Sequence, residues 1–449
     1  MIFSSFTFLL LFLPVTVLGY RTLPAKARMP FLLAASLFFY GWGNPVWLVL
    51  LGYSMLLNWG GVLWMTRRGK PSKPVFILLI LLNLLPLVAF KYLGLLRDTW
   101  NQLLPWKLSF ATPPLPAGIS FFTFQAMSYL FDVYRGDAKV QRSFVTFSVY
   151  LSLFPQLVAG PIVRYTDLEA QLIAHPRPDY SEMREGFRRF AAGLAKKVLL
   201  ADAMGRLWSR MNGDFAQAGA VGAWVGLIAF SFQIFFDFAG YSDMAIGLGH
   251  MLGFSMPENF DRPYRARSLT EFWRRWHMTL TDWFKAYVYI PLGGSHVGRI
   301  RRDFNILVVW ALTGLWHGAG WHFVLWGLYF ALLLVLEKRF LLKNDGWLKV
   351  PGFLRQGLTF LLVLLGWGLF SGFGGELAAA MLGRYGIGSL SALSVCLSFL
   401  PMLLLCGAIS FLPAPARNPL RRFAAPVLML LCLAALAAQG YAPFVYFQF

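Results

Sequence analysis

Charged side chains are scarce in this chain, and acidic ones scarcer. Asp, Glu, Lys and Arg make up 13% of its 449 residues, with 20 acids against 40 bases. A soluble chain of this size carries roughly twice that charged fraction, which excludes an ordinary water-exposed globule. Cysteine is nearly absent: Cys396, Cys406 and Cys432 all lie in apolar runs near the C-terminus. That leaves no disulfide framework and no metal-type spacing, and the three read as small core or lipid-facing residues. There is no G-x-S-x-G elbow, Walker A loop or dinucleotide fingerprint. No internal repeat and no separate soluble domain stand out.

Hydrocarbon is what the chain has in excess. Hydrophobic residues make up 58%, and many separate runs approach the roughly 20 residues that cross a ~30 Å apolar core. The reading is an all-α, polytopic integral membrane protein with roughly eleven to thirteen apolar segments, some of them re-entrant. The net charge of +20 then follows from Lys and Arg collecting in cytoplasmic loops, and nucleic acid is not expected as a partner. Residues 2–20 read as a retained first helix. No basic segment precedes them, and the small-residue site Ala25-Lys26-Ala27 is interrupted by a charge. Basic connections follow the first run (Arg21, Lys26, Arg28) and the third (Arg67, Arg68, Lys70, Lys73). The turn Gly41-Trp42-Gly43-Asn44-Pro45 between the second and third is neutral, so the N-terminus is expected outside.

Further along, 74–92 reads as a span and 93–116 as an interfacial helix and loop, since Trp100 and Trp106 suit the headgroup level. Two apolar stretches carry too many breakers for lipid-facing helices: Leu115 to Gln125, and Phe154 to Arg164 with Pro155, Gln156 and Pro161. The first is expected to be a re-entrant or cavity-lining segment, the second a broken helix facing the interior. Residues 164–198 are amphipathic and belong at the cytoplasmic face. In the long run 219–253, Asp237 and Asp243 stand about 240° apart round a helix, so they read as two separate buried acids. A basic, aromatic-rich block over 257–302 reads as a helix at the membrane surface, suited also to a phosphate-bearing ligand. The cluster Lys338, Arg339 and Lys343 and spans near 355–372, 389–412 and 423–440 complete the chain.

The chemistry is expected in 303–330, an apolar run holding Trp316, His317, Gly318, Gly320, Trp321 and His322. An ionisable residue in hydrocarbon is costly and marks a functional site by default. Taken as one helix, His317 and His322 lie about 140° apart and make no metal pair; no metal is expected. His277, at the edge of the basic block, is a second candidate. From the residues alone two classes remain: a membrane transferase with His317 as general base, or a transporter or lipid flippase with Asp and His as a proton relay.

Taken together, the motifs resemble the membrane-bound O-acyltransferase family, in its bacterial alginate O-acetyltransferase-like branch. They run from Phe39-Tyr40-Gly41-Trp42 and Phe90-Lys91-Tyr92, through Leu115–Gln125 with Asp132-Val-Tyr134-Arg135 and Phe154–Arg164. They continue through Phe236–Asp243, Pro257-Glu258-Asn259-Phe260, Phe272-Trp273-Arg274-Arg275-Trp276-His277 and Tyr289–Gly294, to Leu315-Trp316-His317-Gly318. The resemblance implies a single transmembrane domain over 1–449, core motifs within 115–336, around a central funnel. It implies transfer of an acetyl group from a cytoplasmic thioester, acetyl-CoA being the expected donor substrate, with no permanently bound cofactor. The acceptor would be an exported polysaccharide such as alginate, cellulose or another envelope polymer. His317 would be catalytic with His277 second; His322 is assigned to a cavity wall. Arg262, Arg265, Arg274 and Arg275 would favour the donor's phosphates. Membrane lipid and periplasmic acetyltransferase or polysaccharide-modification proteins are the expected partners, and the bacterial inner membrane the expected location. Where relatives commonly carry a Phe-Arg pair, near Phe370-Ser371, this chain has Ser371-Gly372. That departure is read as lying away from the donor motifs and bearing on the acceptor.

Overall fold

In the computed structural model, described over residues 1–342, 345–412 and 421–439, about 75% of the chain is helical, with no strand among the described residues. Lys343 lies outside them. Four helices are long and apolar enough to cross a membrane by length and composition, or five if one bent pair is counted as a single span. The chain is a multi-pass helical membrane protein. It divides into two compact units, Met1–Leu194 with Tyr241–Glu258, and Ala195–Gly240 with the described residues from Asn259 onward.

The first unit begins with α1 (Leu13–Thr22), α2 (Ala25–Gly41) and α3 (Trp47–Thr66). The break between α2 and α3 falls on Gly43-Asn44-Pro45, where Asn44 Oδ1 accepts from the Val46 amide. Next come α4 (Lys73–Leu87) and α5 (Leu93–Leu103). Here the structure departs from the expected span end at residue 92. A wide turn over Val88–Tyr92 carries the helix straight on, giving 31 helical residues from Lys73 to Leu103. The reason is local: after Pro86 no proline occurs until Pro105, so nothing stops the helix.

α6 (Ile119–Arg135) also differs from expectation. It is one regular helix, begun by Gly118 at φ 76°, and it is almost wholly buried. Its Gln125, Ser128 and Thr123 are tolerated because protein, not lipid, surrounds them. After α7 (Phe144–Ser152) the chain is irregular from Leu153 to Val163 and buried throughout, as the prolines require. α8 (Tyr165–Ala174) and the amphipathic α9 (Tyr180–Ala195) follow.

In the second unit, α10 (Asp202–Asn212) precedes α11 (Phe215–Met251), whose last part belongs to the first unit. Asp237 and Asp243 do lie on different sides of α11. Asp243 pairs with Arg189 at 2.8 Å, and Asp237 with Lys197 at 2.8 Å. The block expected as a surface helix is instead two short helices, α12 (Leu269–Arg275) and α13 (Met278–Phe284), with Tyr264, Trp273, Trp276, Trp283 and Tyr287 buried. The aromatics pack on one another; Trp273 meets Trp326, Phe330 and Trp310 with ring centroids 5.6, 4.9 and 4.6 Å apart. Burial of so much aromatic area outweighs the interfacial preference of any single Trp.

The run 303–330 is not one span. α14 (Arg299–His317) stops at extended backbone over Gly318 to Gly320, and α15 (Trp321–Leu336) returns antiparallel to it. Gly314 and Gly327 allow this. A Cβ on Gly314 would lie 2.3 Å from the Phe323 carbonyl oxygen, and one on Gly327 2.3 Å from that of Trp310. Small residues let helices in lipid approach to backbone contact. The unit continues with α16 (Asp345–Lys349), α17 (Gly352–Phe370), α18 (Gly374–Met381), α19 (Leu390–Ser398) and α20 (Leu400–Phe411), the last two bent by 48°, and α21 (Arg421–Gln439).

Candidate active site

His317 is the last residue of α14, placed there by the glycines that end the helix, and is 7% exposed. Three aromatic side chains box its ring. Trp326 of α15 lies 5.0 Å away at 85°, Phe370 of α17 5.4 Å away at 81°, and Trp316 5.1 Å away at 80°. All three are edge-on, the arrangement that aromatic quadrupoles favour. A box of this kind fixes the imidazole plane and excludes water, which strengthens any proton transfer made there.

His277 joins α12 to α13 with φ 44° and is 2% exposed. A non-glycine residue in the left-handed region costs of order 1–3 kcal/mol and is concentrated at functional sites. Asn259 supports the strained turn twice. Its carbonyl accepts from the Met278 amide at 3.0 Å, and its side-chain oxygen from Thr279 Oγ1 at 3.0 Å. The same side-chain oxygen lies 3.0 Å from His277 Nδ1. Phe238 of α11 stands edge-on to the His277 ring at 4.6 Å. Burial pushes the imidazole down to about 3, so it is neutral at physiological pH.

Trp316 joins the two histidines: its ring contacts His277 at 5.8 Å and His317 at 5.1 Å. The fold thus brings together two residues 40 positions apart in sequence. His322 is not on the helix of His317, so the angle that assumes one helix does not apply. It begins α15 beyond the break, half-buried, against Phe323 and close to Gly372. Phe370, expected away from the donor motifs, instead touches His317. No sequence pattern signals that contact, because it joins α14 to α17 across 53 residues.

The four arginines differ in what they do. Arg275 is held by Asp261 at 2.8 Å and Glu271 at 2.9 Å. Arg262 lies 3.4 Å from the Leu412 carbonyl. Arg265 and Arg274 are exposed. One further buried group escaped the sequence reading. Lys197, placed by sequence at the cytoplasmic face, is buried in α9's continuation, with Asp202 and Asp237 each 2.8 Å from its ammonium.

The fold and site are those of a multi-pass helical membrane protein with a buried histidine at a glycine-broken hairpin. The chain belongs to the MBOAT, membrane-bound O-acyltransferase family, whose profile matches residues 76–367, and it is an acyltransferase. It is 35% identical, over the whole of both chains, to the "Probable alginate O-acetylase AlgI" of Pseudomonas putida. It is 38% identical to the protein of that name from Azotobacter vinelandii, covering 82% of this chain and 75% of the relative. A "Peptidoglycan O-acetyltransferase" of Helicobacter pylori is 33% identical over 88% of this chain and 81% of its own.

Proposed function

We propose that the chain moves an acetyl group from a cytoplasmic thioester, acetyl-CoA, across the bacterial inner membrane for O-acetylation of an exported polysaccharide such as alginate. The observation that carries the reading is the aromatic box that holds His317 beside Trp316 and, through it, His277. His317 takes the proton of an acceptor hydroxyl as its oxygen attacks the thioester carbonyl; the C–S bond breaks and the thiolate leaves to be protonated. His277, neutral and tethered, is the second group within this site. Arg262, Arg265, Arg274 and Arg275 are assigned to the donor's phosphates, with the exposed Arg265 and Arg274 the better placed.

The relatives named for alginate acetylation support a polysaccharide acceptor; partners in the periplasm that complete its modification belong to the same proposal. The Helicobacter pylori relative, named for peptidoglycan, favours a second reading in which the acceptor is another envelope polymer. The test is acetyl transfer by the purified, reconstituted protein. His317→Ala should lose turnover while remaining folded, and turnover like the wild type would overturn the assignment. Offering alginate, cellulose and peptidoglycan fragments in parallel reads the acceptor.

A further inference from the structure

The start of α14 and the helical turn that follows α15 flank an open cavity of about 1140 Å³ that the acyl-transfer reading does not use. Five cations line it: Arg299, Arg301, Arg302, Lys338 and Arg339. Counter-charge is short. Asp303 accepts from Arg339 Nε at 2.7 Å and lies 3.5 Å from Arg302. Glu337 is engaged elsewhere, accepting from the Leu269 and Thr270 amides at 2.6 and 2.8 Å. Burial, followed by the Arg302 guanidinium, lowers the Lys338 ammonium from its ordinary value, as expected where cations crowd together.

Apolar surface runs into the same cavity from both helices. On α14, Ile300, Phe304 and Leu307 are 82, 49 and 44% exposed, and their spacing of four and three places them on one face. On the other arm Leu332, Leu336 and Phe340 repeat every four residues and are 58, 41 and 61% exposed. Ile300, Phe304 and Phe340 also line the cavity. Each stripe therefore ends where the cations begin. A soluble phosphate compound would use the cations and leave the stripes unexplained; an amphiphile uses both.

We propose that this cavity is a binding site for an anionic phospholipid, its phosphate held by Arg299, Arg301 and Lys338 and its acyl chains laid along the two exposed stripes. Planar guanidiniums grip phosphate oxygens in pairs, and juxtamembrane cations are drawn to anionic lipid. The site clamps the open ends of the hairpin whose closed end carries His317.

The test uses the full chain, delipidated in detergent, with phosphatidylglycerol and phosphatidylcholine of identical acyl chains, binding being read by native mass spectrometry and thermal shift. The wild type should retain phosphatidylglycerol selectively and gain thermal stability from it. The triple variant Arg299→Gln, Arg301→Gln, Lys338→Gln should bind it on the order of a hundredfold more weakly. Arg67→Gln with Arg68→Gln, in a basic loop outside the cavity, should bind as the wild type does. Equal retention of the two lipids, or unchanged binding by the triple variant, would overturn the proposal. So would displacement of the lipid by coenzyme A or inorganic pyrophosphate, which would mark a soluble phosphate site. If the triple variant does not fold, lipid selectivity and the displacement result on the wild type decide the question.

Discussion

Asn259 Oδ1 receives hydrogen bonds from Thr279 and lies 3.0 Å from His277 Nδ1. Because the Thr279 amide also points at this atom, at 3.4 Å, it is the carbonyl oxygen of the side chain and not its nitrogen. An acceptor there requires His277 Nδ1 to carry the proton, which leaves the lone pair of the neutral ring on Nε2. Asn259 thus sets the tautomer of a residue 18 positions away.

Removing this acceptor should cost about fivefold in kcat, the worth of one orienting hydrogen bond of roughly 1 kcal/mol. Asn259→Ala is the variant, and steady-state acetyl transfer the measurement. Asn259→Asp should restore the orientation but raise the His277 pKa, because a nearby anion favours the imidazolium. The acid limb of its pH–rate profile should therefore move to higher pH, which a purely structural role would not produce.

The α14–α15 hairpin should not accept a methyl group at its crossing. Gly314→Ala places a carbon 2.3 Å from the Phe323 carbonyl, and overpacking of this kind costs about 1–3 kcal/mol. Gly357→Ala, in α17 with nothing within 4 Å of the new carbon, should instead stabilise by about 0.5–1 kcal/mol through helix propensity. Thermal unfolding of the two purified variants gives the comparison.

Lys197 holds two acids in a buried cluster, its side chain 2% exposed and that of Asp237 likewise. Lys197→Met leaves both carboxylates without their cation and should destabilise by about 3–5 kcal/mol. Adding Asp202→Asn and Asp237→Leu should recover much of that loss, since neutralising the whole cluster removes the unpaired charge. Yield of folded protein in detergent reads both.

Burial pushes Asp202 up to about 6, against the opposing pull of Lys197. A raised folded pKa means that the folded state binds a proton the unfolded state lacks between its ordinary value of 3.8 and about 6. Through this group, stability therefore rises as pH falls through that window. Asp202→Asn should remove that increment, so the difference in melting temperature between variant and wild type should change between pH 7 and pH 5. The measurement is thermal unfolding at both pH values.

The features written locally in the chain were legible without the fold. Long apolar runs bounded by basic loops mark the membrane segments, and the helix breaks at Gly43-Asn44-Pro45 and over Pro155 to Pro161 follow from those residues. The motif carrying His317 was legible for the same reason, since a histidine in an apolar run stands out by composition. Its partners were not. Residues 303–330 read as one span because hydropathy cannot distinguish a single helix from two antiparallel arms; the close approach at Gly314 and Gly327 decides that. The expectation of a surface helix at 257–302 failed because Trp and Arg favour the headgroup level only where no aromatic core competes for the Trp. Trp316 between His277 and His317, Phe370 against His317, and Lys197 between two acids each join residues from different elements. Sequence alone determined the all-helical, multi-pass membrane class and the residue types at the site, because hydropathy and helix-breaking act over a few neighbouring positions. Tertiary structure decided which of those residues meet, because packing and buried-charge pairing act between segments far apart in the chain.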